Sequence, residues 1–213
     1  MLSLFITLLI IATVIAFIFS GGNSSSLSKK KDKAGQKGTT GERLVALESY
    51  TSLNLSTYIP FHNIAIYNGE TTTQIDHIYL SIYGIFVLET KHYSGWIYGG
   101  QYNKYWTQTF KSKKHQFKNP IHQNYGHIKF LENFLTIEFE KFHSVIVFSG
   151  DSEFKTALPK NVCSINNFCD YILSFNRPIF TQNEIENLAN FLRSRTLPQT
   201  DNTLNFHIHH IKK

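Results

Sequence analysis

Cysteine is nearly absent from this 213-residue chain, which has Cys163 and Cys169 and no others. Their spacing matches no zinc or redox motif, so both read as reduced, mostly buried residues. The histidines do no better as a metal set. His122 and His127, and His207, His209 and His210, lack zinc-ligand spacing with confirming partners, and solvated or core-edge roles suit them better. No internal repeat is visible. Net charge is modest once it is placed along the chain. The total is +6, and Lys29, Lys30, Lys31, Lys33 and Lys37 against Asp32 put +4 of it into residues 21–38. The remainder carries only +2, which excludes a broad cationic face of the kind that strong nucleic-acid binders show by composition. Any such contact must be local.

Charge is missing altogether from residues 2–20, which are almost entirely Leu, Ile, Val, Phe and Ala. As a helix this run spans about 28 Å, close to the roughly 30 Å hydrocarbon core of a bilayer. It has no basic leading segment and no small-residue cleavage site, so it reads as a retained transmembrane anchor rather than a signal peptide. Residues 21–38, rich in Gly, Ser and Lys, read as a basic flexible linker. Lysines directly after a span favour the cytoplasmic side, and they can also rest on anionic headgroups. The expected localisation is therefore a single-pass membrane protein with its remaining 175 or so residues, enough for one cored domain, in the cytoplasm.

Along that domain, Thr39 or Thr40 caps a helix expected to begin near Gly41, with Leu44, Leu47 and Val45 on its buried side. Strands are expected at residues 64–67, 72–82 and 85–92, with turns at Asn68-Gly69 and Tyr83-Gly84. Within 72–82, alternation sends Gln74, Asp76, Ile78, Leu80 and Ile82 one way and Ile75, His77 and Tyr79 the other. The Trp- and Tyr-rich residues 96–110 read as an added strand pair; Tyr98, Tyr102, Tyr105 and Trp106 are of a kind that stacks bases, but their alternating spacing favours burial against the sheet. Asn119-Pro120 starts a helix running to about Leu135 on the stripe Ile121, Ile128, Leu131 and Leu135. Strands at 143–148 and 161–165 and a short helix at 167–175 follow. A capping box of Thr181 and Glu184 then opens a last helix, to about Arg193. Hairpins first and a crossover helix later indicate an α/β sandwich around a mixed sheet.

Within that pattern, residues 75–90 contain only two charged side chains, Asp76 and Glu89, among Ile, Val, Leu, Phe and Tyr. Alternation puts Glu89 and Lys91 on one face with Thr90 pointing away, and the hairpin brings Asp76 beside them. Two carboxylates and a main-chain carbonyl, Thr90 being the candidate, make a hard-oxygen site suited to Mg²⁺ or Mn²⁺. Such an ion binds a phosphate oxygen and acidifies a bound water, while Lys91 orients that water or stabilises charge on the phosphate. Glu42 and Gln123 are the further members. Each has a plainer reading: a buried ion-pair cluster for the strand residues, a helix N-terminal charge for Glu42, and a loop hydrogen bond for Gln123.

Gly41-Glu42, Gln74-Ile75-Asp76-His77, the run Gly84 to Lys91, Gly95, Trp106 and Asn119-Pro120-x-x-Gln123-Asn124 occur in series. Together they resemble the NERD (nuclease-related) domain, a family similar to the PD-(D/E)XK nucleases; Ile75 stands before Asp76 where proline is usual. The resemblance implies a restriction-endonuclease-like α/β fold with a mixed sheet flanked by helices. It also implies metal-dependent phosphodiester hydrolysis, with Asp76, Glu89 and Lys91 catalytic and Glu42 and Gln123 auxiliary. On this reading residues 2–20 are the anchor, 21–38 the linker and 39–150 the nuclease core, while 151–197 complete the same domain and 198–213 form a tail. The expected function is a membrane-anchored, Mg²⁺- or Mn²⁺-dependent nuclease hydrolysing DNA phosphodiesters by activated-water attack, with another phosphodiester, such as a nucleotide or RNA, as a further candidate substrate. The alternative is a tethered nucleic-acid-binding or adaptor module with little or no turnover.

Overall fold

A computed structural model describes residues 32–196, with side chains from Gly38. Two compact units divide the chain, Met1–Lys37 and Gly38–Lys213. The expected anchor, most of the linker and the tail lie outside the described residues. Among those described, no helix is long and apolar enough to cross a membrane.

The second unit is a mixed α/β domain. Its larger sheet has five strands in the order β1-β2-β3-β7-β9. These are β1 (Ile59–Tyr67), β2 (Thr72–Ser81), β3 (Gly84–Lys91), β7 (Phe142–Phe148) and β9 (Val162–Ser164). The first three pair antiparallel, and β7 and β9 continue the sheet in parallel. The central strand β3 is apolar from Ile85 to Leu88 and fully buried there, as expected of a strand covered on both faces. One face packs on helices α2 (Pro120–Leu135) and α4 (Gln182–Arg195), through Ile128, Leu131, Ile185, Ala189 and Leu192. The other packs on α1 (Asp32–Ser52) and α3 (Phe168–Leu173), through Val45, Phe168 and Ile172, with Leu53 just past the end of α1.

A second sheet runs β6-β5-β4-β8, with β4 (Gly95–Tyr98), β5 (Tyr105–Phe110), β6 (Lys113–Lys118) and β8 (Ser152–Phe154). Its inner residues Ile97, Trp106 and Phe117 close a third core against Ile146, Phe148 and Val162. What reads as an added strand pair is therefore a four-stranded sheet. Trp106 is buried as expected, but Tyr98, Tyr102 and Tyr105 are exposed.

Three further expectations change. Helix α1 starts at Asp32 rather than near Gly41, so it takes in the end of the stretch that reads as linker. Its buried stripe is Gly41, Val45 and Ser49, at i, i+4 spacing, while Leu44 and Leu47 face solvent. Small residues on the inner side let the helix approach the sheet, which apolar counting alone does not register. In β1 and β2 the simple alternation breaks. Ile75 joins Ile78 and Leu80 in one cluster, as Ile64 and Ile66 join Phe61, although the pairing register is constant. Asn63 sits between the two runs at φ 47°, and this left-handed residue reverses the side-chain phase. Asp76, opposite it, lies at that switch.

Thr39 and Thr40, expected to cap α1, lie inside it, whereas the caps of α2 and α4 follow expectation. Asn119 Oδ1 accepts the Ile121 N–H at 2.9 Å, and Thr181 and Glu184 form the reciprocal capping box.

Candidate active site

Gly84 makes the hairpin that aligns the key strands. It takes φ +139° at the start of β3, and a Cβ there would meet the His143 ring at 2.4 Å. The hairpin sets Asp76 beside the end of β3, where its Oδ2 accepts the Thr90 N–H at 2.7 Å. Two residues apart on β3, Glu89 and Lys91 share a face, with Lys91 Nζ 2.5 Å from Glu89 Oε1. The same ammonium donates to Gln123 Oε1 at 3.1 Å, so the first turn of α2 joins the cluster. Asn124, next along α2, is fully buried and donates to the Val87 carbonyl and Ser144 Oγ, both at 2.8 Å. Those bonds clamp α2 onto β3 and β7 and so fix where Gln123 stands.

Glu42 enters from α1. A Cβ on its neighbour Gly41 would lie 2.7 Å from both His92 Cβ and Ser149 Oγ, so only glycine lets the helix seat against the sheet ends. The Glu42 carboxyl is raised above its ordinary pKa, first by burial and then by the charge of Glu89, with Arg43 and Lys91 opposing. Asp76 is raised much further. Burial dominates, Glu89 and Glu42 add to it, and the Thr90 N–H and Lys91 pull the other way. The structure thus brings together Glu42, Asp76, Glu89, Lys91 and Gln123, with Thr90 contributing its main chain.

His127 is the residue that sequence reasoning missed. It lies one helical turn beyond Gln123, so the i, i+4 spacing on α2 was the available signal. Partly buried at the edge of the core, it bridges Thr73 Oγ1, at 2.9 Å from Nδ1, and Glu89 Oε2, at 3.3 Å from Nε2. That second contact has ion-pair distance without hydrogen-bond geometry, and Glu89 Oε2 is buried with no hydrogen-bond partner.

This donor set suits a hard cation in its chemistry. Three acids stand in one electrostatic neighbourhood, two of them resisting ionisation, and a buried carboxylate oxygen has a lone pair to spend. The arrangement is not a ready-made cage. Among the described residues no group of three or more His, Cys, Asp or Glu side chains is placed to hold an ion. A cation here would have two side-chain carboxylates, Asp76 and Glu89, and would complete its shell with main-chain or water oxygens.

Comparison with known proteins bears on the same segment. The nuclease-related domain model matches residues 37–149, more than half of the chain, and the match contains every residue of this cluster. The chain belongs to the NERD family. It is also 47% identical over 105 residues to an uncharacterized protein of Bacillus anthracis. That match covers 48% of this chain and 49% of the relative, so the chain spans about half the length of the curated protein it matches. No solved structure matches it significantly. Within the NERD segment lies a cleft of about 380 Å³, lined by Lys104, Tyr105, Lys118, His122 and Gln123 among others. Through Gln123 it abuts the Lys91 end of the acidic cluster.

Proposed function

We propose that this NERD protein is a membrane-anchored nuclease that hydrolyses phosphodiester bonds, DNA being the expected substrate, on a restriction-endonuclease-like core. The observation that carries the reading is the convergence of Asp76, Glu89 and Lys91 with Glu42 and Gln123, from a helix, two strands and a second helix, inside a nuclease-related domain. Asp76, Glu89 and the Thr90 carbonyl would hold Mg²⁺ or Mn²⁺, which when bound supplies a Lewis acid for the phosphate and an acidified water. Lys91 is the group that stabilises charge developing on the phosphate oxygens. Glu89 and Gln123 keep its ammonium extended, so little reorganisation is needed when the phosphate arrives. Glu42, once ionised, would add negative charge that favours the cation, and His127 holds Glu89 from the α2 side.

One observation favours a second reading, a tethered nucleic-acid-binding module with little turnover. Asp76 Oδ2 and Glu89 Oε1 are already engaged by the Thr90 N–H and by Lys91. Cleavage separates the two. The full chain, incubated with plasmid and single-stranded DNA, is expected to cut with Mg²⁺ or Mn²⁺ and not with EDTA. Asp76→Ala or Lys91→Ala should reduce cutting by at least about a hundredfold, the scale of losing one transition-state contact. Equal cutting by both variants and the parent would end the hydrolase reading.

A further inference from the structure

The modest net charge of the domain conceals its distribution. From residue 90 to residue 131 the chain holds seven lysines and four histidines, and no aspartate or glutamate. Most of this segment is the second sheet. The pairing Tyr98↔Thr107, Tyr105↔Lys118, Thr107↔Gln116 and Thr109↔Lys114 puts Tyr98, Tyr105, Lys114, Gln116 and Lys118 on one face. That face points away from the core, because Ile97, Trp106 and Phe117 on the opposite face are buried. Tyr98 and Tyr105 are 38% and 48% exposed, too much for rings whose task is packing, and Tyr102 in the intervening turn is 88% exposed. Trp96 shares the face and is 47% exposed, with Lys155 Nζ 4.8 Å over its ring, and Lys104 Nζ lies 5.6 Å over the ring of Tyr105. The acid on this face, Glu153, is paired with the same Lys155.

We propose that the outer face of the second sheet binds single-stranded nucleic acid, stacking unpaired bases on Tyr98 and Tyr105 while Lys114 and Lys118 contact the phosphates. The inference deepens the nuclease reading and rests on it for what happens at the far end of the bound strand. Two physical points select this occupant. Exposed rings interleaved with cations on a twisted sheet offer π-faces and counter-charge together, the combination that holds a flexible polyanion with exposed bases. A duplex hides its base faces and would use the lysines alone. Continuity adds direction. Tyr105 and Lys118 also line the cleft that Gln123 borders, and Gln123 holds Lys91. A strand lying on the face is led through that cleft toward the acidic cluster.

The test is fluorescence anisotropy on the full chain in detergent, with EDTA present so that cleavage plays no part. The probes are labelled oligothymidylate and oligouridylate of roughly 20 nucleotides, above the usual single-fold site size, and a duplex of the same length. Single strands are expected to bind at least about tenfold more tightly than the duplex, and the two oligonucleotides distinguish DNA from RNA as the preferred strand. The double variant Tyr98→Ala, Tyr105→Ala should lose about tenfold or more in single-strand affinity, and Tyr98→Phe, Tyr105→Phe should keep it. Replacing Lys114 and Lys118 with alanine should flatten the salt dependence by about 1.4 in the log–log slope, roughly 0.7 per phosphate contact. Duplex binding as tight as single-strand binding, or alanine variants of the tyrosines that bind like the parent, would overturn the proposal. Tight strand binding with no metal-dependent cutting would instead remove the nuclease reading and leave this one standing.

Discussion

Asp76 and Glu42 pose the same problem at the scale of a residue, since each carboxyl is more easily protonated in the folded chain than in water. Their sign is the reverse of a salt-bridged acid. A raised folded pKa means that stabilisation by the bound proton is fully present below the unfolded value of about 4 and is lost as pH rises through the folded value. The parent should therefore lose stability relative to Asp76→Asn as pH climbs above about 4, the amide being neutral throughout. Melting temperatures of both proteins across the acid-to-neutral range check this, and parallel profiles would mean that Asp76 is not strained by its surroundings. A cation that binds the ionised pair adds stability by mass action. Mn²⁺ should accordingly raise the neutral-pH melting temperature of the parent and leave Asp76→Asn unchanged. Lys91 and Gln123 explain why the cluster tolerates so much like charge, as they place one ammonium beside Glu89 without neutralising the rest.

Among the elements, α1 governs how close Glu42 comes to the strands. Gly41→Ala would drive a methyl to within 2.7 Å of His92 Cβ and Ser149 Oγ, and the helix must lift or tilt to accept it. The expected cost is about 1–3 kcal/mol by chemical denaturation, the range of core overpacking, with a fall in activity beyond what stability explains. Gly38→Ala is the control. Its new methyl would meet only Glu42 Oε1 at 3.7 Å, and replacing an exposed helical glycine should gain about 0.5–1 kcal/mol. If both substitutions proved neutral, the close seating of α1 would not matter. The same helix shows what the sequence could tell a reader and what it could not. Two-residue alternation put Glu89 and Lys91 on one face, and the Asn119-Pro120 start signal located α2. Both are local rules with few competitors. The buried stripe of α1 was illegible because glycine and serine carry it rather than leucine. Strand β6 was illegible because Phe117 is its one buried residue in Lys113–Lys118, so it lacks the alternation that marks a strand. The phase reversal at Asn63 depends on one left-handed residue that no periodicity announces. His127 was discounted for want of zinc spacing, whereas its role is to meet a carboxylate one helical turn from Gln123.

At the scale of the whole molecule, charge is distributed in two places, and the proposed function would give each its own partner. The five lysines of residues 21–38 follow the uncharged run 2–20, where their chemistry suits a cytoplasmic leaflet. The lysines of residues 90–131 lie on the domain, where the proposed stacking face beside them would take a polyanion as partner. These roles require each other in space. A domain that handles nucleic acid while held at the membrane must be on the side where nucleic acid is, and the lysine rule favours that orientation. The full chain should stay with membranes through an alkaline carbonate wash, and deletion of residues 2–20 should release it. Protease added outside intact cells should leave residues 39–213 uncut and degrade them once the cells are opened. Release of the full chain by carbonate would reduce residues 2–20 to something other than a span. Digestion from outside would reverse the orientation and with it the access to nucleic acid on which the proposed function depends.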